Sequence, residues 1–354
     1  MTAPGQPRDE GAIEPLAEPV LPLVTVLLPV RNEAGFIDPC LRALAAQDYP
    51  RDRFEVILLD GESSDTTVQE VEALQAELSL PDKVINNPRR TTATAMNLGI
   101  WIARGEIVIK VDGHTRVAPD FISASVLALR QSGADAAGGP IRTVGQEDAI
   151  GSAIALAMSS PFGVGDTAFR HSQSEQWTDS VPFGAYRREV FQRVGLFAED
   201  IERGEDDEFN YRLRDSGGRI LLTPTIRSEY YSRSTYAALA RQYWNYGLAK
   251  VAVLERHPRR LRARHLVPSA FVLTLAGGVL LSVFDRRFGR LASLAATTYA
   301  VANTIASLRL AARGHRRELP YLPGAFATIH LAAGSGMIAG ALRILRSKLR
   351  RRVG

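Results

Sequence analysis

The stretch Ile107–Arg116, IVIKVDGHTR, limits the fold more than any other part of the chain. Ile107, Val108, Ile109 and Val111 form a short, nearly continuous β-branched run, the pattern of a strand buried in a parallel sheet. The run stops abruptly at Asp112, Gly113 and His114. In open α/β sheets, ligands bind outside the carboxyl ends of the strands. A carboxylate and an imidazole two residues apart at such an end are two ligands for a divalent cation, which would neutralise a diphosphate. The same residues also suit a plain strand end, with Asp112 capping the turn and His114 at the surface. The motif alone leaves both readings open.

Two earlier apolar runs end in the same way. Leu23–Val30 leads into Arg31, Asn32 and Glu33, and Arg53–Asp60, RFEVILLD, closes on a carboxylate. Phe36, Ile37, Leu41 and Leu44 recur at helical spacing between them. Gly61–Thr67, GESSDTT, is a turn from which Asp65 or Thr66 caps a helix through about Leu78. Side by side in a parallel sheet, Glu33 and Asp60 would face the hydroxyl and N–H donors of a nucleotide. Glu33 also reads as a first-turn acid favoured by the helix dipole. Arg89 and Arg90 lie between a short strand, Lys83–Ile85, and a helix over Ala93–Ala103. They are placed to hold phosphate, or are solvated loop arginines.

Downstream, a Pro119–Arg130 helix precedes Ala134–Gly139 and Ile141–Val144, which read as another strand and a glycine break. A small-residue helix follows near Ala149–Ser159, then a strand at Val181–Arg187 and a short helix at Val190–Val194. In Glu202–Asp215, ERGEDDEFNYRLRD, four consecutive acids open a helix with Phe209 and Leu213 on one face. Acids stabilise a helix N-terminus without any further role. A carboxylate at a helix start in a cleft can also take a proton from a hydroxyl nucleophile. Arg219–Leu222 reads as the last strand, and Ser234–Lys250 as an amphipathic helix carrying Trp244 and Tyr246.

Charge divides the chain. Residues 250–354 carry 19 Lys and Arg against 3 Asp and Glu, whereas residues 1–249 carry 24 against 35. The basic part alternates arginine clusters with apolar stretches at Leu266–Phe284, Leu291–Ala312 and Leu322–Leu345, each near the length of about 20 residues that spans a bilayer. That alternation favours membrane lipids over nucleic acid as the partner. Three full spans would set basic clusters on both sides, so a hairpin with an interfacial third helix, or wholly interfacial helices, fits the positive-inside rule better. Residues 1–21 are expected to be a disordered tail, with neither the basic start nor the apolar core of a signal peptide. A single cysteine, Cys40, excludes an internal disulfide, suggests a reducing compartment and reads as core packing.

Taken jointly, PVRNEAGFIDPCL, VILLDGESSDTT, ATAMNLGIWIARGEIVIKVDGHT, FGAYRREVFQRVG and GEDDEFNYRLRDSGG resemble family 2 glycosyltransferases of the bacterial succinoglycan-biosynthesis type, over roughly Leu23–Leu222. The resemblance implies an α/β fold of the GT-A kind, a Rossmann-like mixed sheet flanked by helices, over residues 22–249. A basic, membrane-associated helical region over 250–354 would follow. It implies a nucleotide-sugar donor, most simply a UDP-sugar, bordered by Pro29, Arg31, Glu33, Asp60, Arg90 and Asp112. It implies Mn²⁺ or Mg²⁺ at Asp112 and His114, where most relatives carry a second Asp; imidazole suits Mn²⁺ better than Mg²⁺. Asp206 matches the general base. Trp177, Asp179, Glu205 and Trp244 fall to the acceptor side. Arg241, Gln242, Tyr243 and Trp244 depart from the Gln-x-x-Arg-Trp of processive synthases, which argues against processivity.

The implied reaction is a single inverting displacement, since no motif supplies a second, nucleophilic carboxylate. A membrane-bound catalytic domain suggests a lipid-linked glycan or polysaccharide acceptor at the inner cell membrane, with the catalytic domain cytoplasmic. A polyprenyl-phosphate sugar synthase is the alternative within the reaction type. A non-catalytic nucleotide-binding membrane scaffold is the alternative outside it. A dinucleotide-dependent oxidoreductase is disfavoured because no G-x-G-x-x-G follows Leu23–Val30.

Overall fold

The computed structural model describes residues 21–353 apart from Glu147 and Asp166. The expected tail, residues 1–21, lies almost wholly outside the described residues. The strands are β1 (Val24–Val30), β2 (Phe54–Asp60), β3 (Lys83–Asn86), β4 (Ile107–Lys110), β5 (Thr115–Val117), β6 (Ala136–Gly138), β7 (Ile141–Val144), β8 (Gln176–Trp177), β9 (Ala185–Arg187), β10 (Ile220–Leu222) and β11 (Ser228–Tyr231). The main sheet runs β3-β2-β1-β4-β9-β6-β10-β8, and β5-β11-β7 form a small second sheet. The four strands β3, β2, β1 and β4 pair in parallel, while β9 runs antiparallel to β4 and β6. The register pairs Val30 with Asp60 and Val24 with Ile107. The ends of β1 and β2 therefore lie side by side, as the sequence pattern requires.

Strand parity builds two core layers. Val24, Val26, Leu28, Ile107 and Ile109 pack into one buried cluster, and Leu27, Ile57, Leu59 and Val108 into the other. Successive side chains point to opposite faces of a strand. Both faces are covered by helices, so the strands read as continuous apolar runs rather than alternating ones. The helix Glu205–Asp215 lies on the Val108 side, with Phe209 and Leu213 in that cluster.

Two expectations are corrected. Arg219–Leu222 is not the last strand, because β11 follows and joins β5 and β7. Its sequence, SEYY, is too short to show a period. Phe36, placed on the buried helix face by its spacing, is exposed and stands just before the helix Ile37–Ala45.

The change in composition at Lys250 is not a break in packing. Lys250 falls inside the helix Tyr236–Arg256, which is followed by helices Ala263–Leu281, Arg286–Ala312 and Leu322–Val353. Leu322, Ala325, Phe326 and Ile329 belong to the same buried cluster as Val24 and Leu239. By length and composition the last two helices are long and apolar enough to cross a bilayer, whereas the apolar part of the first is shorter. The hairpin side of this bundle exposes Val279, Leu280, Val283, Phe284, Leu291 and Leu294 beside Arg286, Arg287 and Arg290.

Candidate active site

The site forms where β1, β2 and β4 end. Gly113 allows the close approach there: a Cβ on it would meet Val30 Cγ1 at 2.9 Å and Glu33 Cγ at 3.0 Å. Glu33 reaches His114, with Oε1 at 2.9 Å from Nδ1. Tyr230 of β11 packs edge-on against the imidazole, ring centres 5.4 Å apart. His114 is therefore no surface histidine. Burial works to lower its pKa, but the Glu33 hydrogen bond and the charges of Asp112 and Glu33 outweigh it and raise the value. Glu33 is itself fixed by the second turn. Its N–H donates to Thr67 Oγ1 at 2.8 Å, and that hydroxyl donates to Asp65 at 2.5 Å. Asp65 also accepts from Ala34 N–H at 3.2 Å, and these bonds hold its carboxyl below the usual range, with the Thr67 hydroxyl foremost.

The other residues expected on the donor side stand in or just after β1, β2 and β3. Pro29 lies opposite Leu59 in the β1–β2 register. Arg31 is exposed beside Gly61. Asp60 is buried and accepts from Ser63 N–H and Oγ–H, the latter at 2.6 Å. Arg90 does not stand free; its guanidinium pairs with Glu62, with Nε at 2.6 Å. Cys40 is buried core, as expected, with Sγ at 3.7 Å from the Asp112 carbonyl.

The acid cluster that opens the Glu205–Asp215 helix is divided among several cations. Lys110, at the end of β4 and 5 % exposed, sends Nζ to Asp206 Oδ2 at 2.7 Å and Glu205 Oε1 at 3.2 Å. Asp112 Oδ1 lies 3.8 Å from the same nitrogen. Asp207 pairs with Lys250 at 2.5 Å, and Glu208 with Arg212 and His257 at 2.8 and 3.3 Å. Asp206 Oδ1 is buried without a hydrogen-bond partner among the described residues. Burial pushes the Asp206 carboxyl up, Lys110 pulls it back, Glu205 and Asp112 push it up again, and the result is about 7. The helix that carries it is anchored by Phe209, which packs on Phe197, Phe191 and Tyr186 at 4.5, 5.4 and 5.4 Å. Its N-cap is Gly204 at φ +84°, a left-handed conformation suited to glycine.

Asp112 and Asp206 thus share one ammonium at the carboxyl end of a central strand. Residues 25–195 match the family model described as glycosyl transferase family 2. The chain carries a family 2 glycosyltransferase domain. The glycosyltransferase is 28 % identical over 264 residues to the succinoglycan biosynthesis protein ExoA of Rhizobium meliloti (strain 1021), covering 73 % of this chain and 78 % of that protein. It is 27 % identical over 240 residues to a Methanococcus voltae protein, dolichyl N-acetyl-alpha-D-glucosaminyl phosphate 3-beta-D-2,3-diacetamido-2,3-dideoxy-beta-D-glucuronosyltransferase, covering 66 % of this chain and 74 % of that one. The solved mannosyltransferase PcManGT of Pyrobaculum calidifontis, in complex with GDP-Man and Mn²⁺, shares the fold at TM-score 0.57 and 23 % identity, over 93 % of this chain and 88 % of that one. The fold is that of the GT-A glycosyltransferases, and the chain is a glycosyltransferase. The family match ends before Asp206 and the Glu205–Asp215 helix.

The residues at the strand end fit a divalent cation that keeps water and substrate oxygens. Among the described residues no group of three or more His, Cys, Asp or Glu gathers as a metal cage. That excludes the closed ligand set of a structural zinc there and suits Mg²⁺ or Mn²⁺, which take few protein ligands plus phosphates. A carboxylate on one imidazole nitrogen, as Glu33 is on Nδ1, is the usual support for a metal on the other.

The expected acceptor residues are spread over three elements: Glu205 opens the Glu205–Asp215 helix, Trp177 and Asp179 are on or just past β8, and Trp244 is on the helix Tyr236–Arg256. Trp177 is exposed on β8 under the Arg219 guanidinium at 4.4 Å. Asp179 is held by Arg214 and Arg262 at 3.0 and 2.6 Å. Trp244 is exposed, on the helix whose Gln242 donates to Tyr230 Oη at 2.8 Å. Sequence reasoning gave no role to Lys110, Tyr230 or Arg170, whose guanidinium stacks on Tyr230 at 5.2 Å. A lysine two residues before Asp112 in an otherwise apolar strand was a visible signal for the first. For the other two no local signal exists.

Proposed function

We propose that the protein moves a sugar, with inversion, from a nucleotide diphosphate sugar to a hydroxyl of a lipid-linked glycan or polysaccharide at the inner cell membrane, with its catalytic domain on the cytoplasmic side. One observation carries this: a carboxylate raised to about 7, with one oxygen unpartnered, lies on the same ammonium as the strand-end Asp112. A base works best when its pKa is near the working pH. Asp112 and His114 would hold Mn²⁺ or Mg²⁺, and the cation, when bound, supplies positive charge for the leaving diphosphate. Pro29, Arg31, Glu33 and Asp60 border the nucleotide. Arg90 would exchange Glu62 for phosphate. The Asp206 carboxylate takes the proton of the acceptor hydroxyl, whose oxygen bonds to the anomeric carbon as the bond to the diphosphate oxygen breaks. Trp177 and Trp244 offer exposed rings, and Glu205 and Asp179 carboxylates, on the acceptor side.

The lipid-linked acceptor draws support from the dolichyl phosphate in the name of the Methanococcus voltae relative and from the apolar helices packed on the catalytic domain, and the polysaccharide from the succinoglycan in the name of the other. A panel of UDP-, GDP- and dTDP-sugars, scored for Mn²⁺-dependent binding and for transfer to lipid extract, tests the reading. Asp112→Ala is expected to remove the Mn²⁺-dependent gain in nucleotide affinity. Unchanged affinity would reject the metal assignment.

A further inference from the structure

The mechanism above leaves one buried charge without a role. Lysine is almost never fully buried unless paired, and Lys110 stands among three carboxylates at 2.7, 3.2 and 3.8 Å. Parity puts Lys110 on the same strand face as Val108 and Asp112, the face on which the Glu205–Asp215 helix packs. Its shortest contact is to a single atom, Asp206 Oδ2, while Oδ1 of the same carboxylate is buried and unpartnered. An ammonium has three donors and no acceptor. It can therefore hold a carboxylate base in place without competing for the proton that the base must accept. A carboxylate without that tether would rotate about its side-chain bonds.

We propose that Lys110 is a positioning residue for glycosyl transfer: by gripping Oδ2 it fixes the rotamer of Asp206 and so sets where that carboxylate meets the acceptor hydroxyl. The proposal rests on Asp206 being the base. Because Lys110 is rooted in β4, it also ties the acceptor-side helix to the strand whose end carries Asp112. The base then keeps its distance from the donor when the acceptor enters. Misplacing a reacting group by about 1 Å can cost on the order of a hundredfold in rate.

The test compares Lys110→Met, Lys110→Arg and Asp206→Asn in the purified full chain. UDP with Mn²⁺ is the binding probe. Radiolabelled UDP-glucose, UDP-N-acetylglucosamine and GDP-mannose, supplied with lipid extract, are the transfer probes. Lys110→Met is expected to lower kcat about a hundredfold while UDP affinity and donor KM stay within about threefold. Lys110→Arg, which keeps a cation at the site, is expected to recover at least a tenfold part of that loss. Should Lys110→Met fail to fold, with three carboxylates left facing one another, Lys110→Met combined with Glu205→Gln removes one charge and is compared with Glu205→Gln alone. Wild-type kcat in Lys110→Met, an equal fall of affinity and kcat, or no recovery with Arg would each overturn the proposal. If Asp206→Asn retains wild-type kcat, the base assignment falls and takes this proposal with it. If Asp206→Asn is inactive while Lys110→Met is not, only the role of Lys110 is refuted.

Discussion

At the scale of single residues, the proposed base Asp206 and its neighbours set a pH dependence whose sign is fixed. Burial holds Asp206 protonated up to about 7. A protonated carboxyl cannot accept the hydroxyl proton, so kcat should fall about tenfold per pH unit below that value and level off above it. A profile at saturating substrates that stayed flat down to about pH 5 would contradict the base assignment. Asp206→Asn should lower kcat by about 10²–10⁴ and leave UDP binding nearly intact. Glu33→Gln bears on the donor side. It weakens the support of His114 without removing the imidazole, and should cost about 10–100-fold in Mn²⁺ affinity by calorimetry. These residues differ in how legible they were. Asp112 and His114 were marked by their place after a β-branched run, and Asp206 by an acidic helix start. Lys110 sat in the same ten residues. Its role depends on a helix 95 residues later, which no local pattern can announce.

At the scale of elements, the base is only as well placed as the helix Glu205–Asp215. That helix has no side-chain N-cap, and its first-turn acids complement the dipole instead. Its position comes from Phe209, fully buried in the aromatic cluster with Phe191, Phe197 and Tyr186. Phe209→Ala is expected to cost about 3–5 kcal/mol, read as a lower urea midpoint, and to lower kcat more than UDP affinity. Equal stability in the variant would mean that the cluster does not seat the helix. The strands of the parallel half were legible because both faces are buried and β-branched residues fill them. Of the second sheet only Ile141–Val144 was marked, as part of a strand with a glycine break. β5, β7 and β11 are three or four residues long, and Tyr230 earns its place beside His114 through pairing with Thr115 and Thr143, contacts remote in sequence.

At the scale of the whole molecule, the basic, apolar third of the chain is joined to the catalytic domain by packing rather than by a tether. Phe162 stacks edge-on against Phe326 and His330 at 4.9 and 5.2 Å, and His330 reaches the Phe162 carbonyl at 2.8 Å. Gly247 and Gly336 lie where the helices Tyr236–Arg256 and Leu322–Val353 approach: a Cβ on Gly336 would stand 2.2 Å from the Trp244 carbonyl. Of the two span-length helices, the last has 39 % of its apolar window buried inside the protein, against 17 % for Arg286–Ala312. The last helix therefore serves the catalytic core as well as any bilayer, and a bilayer that binds the bundle fixes the height of the active site above it. Truncation tests this directly. A chain ending before Ala263 loses the Leu322–Val353 helix and uncovers Leu239, Ile154 and Phe162, three apolar side chains, each worth about 1.5–3 kcal/mol on burial. It is expected to aggregate, or to melt well below the full chain held in detergent, by circular dichroism. A soluble, cooperatively folded fragment with full UDP affinity would show instead that the catalytic domain ends where the charge pattern changes, near Lys250.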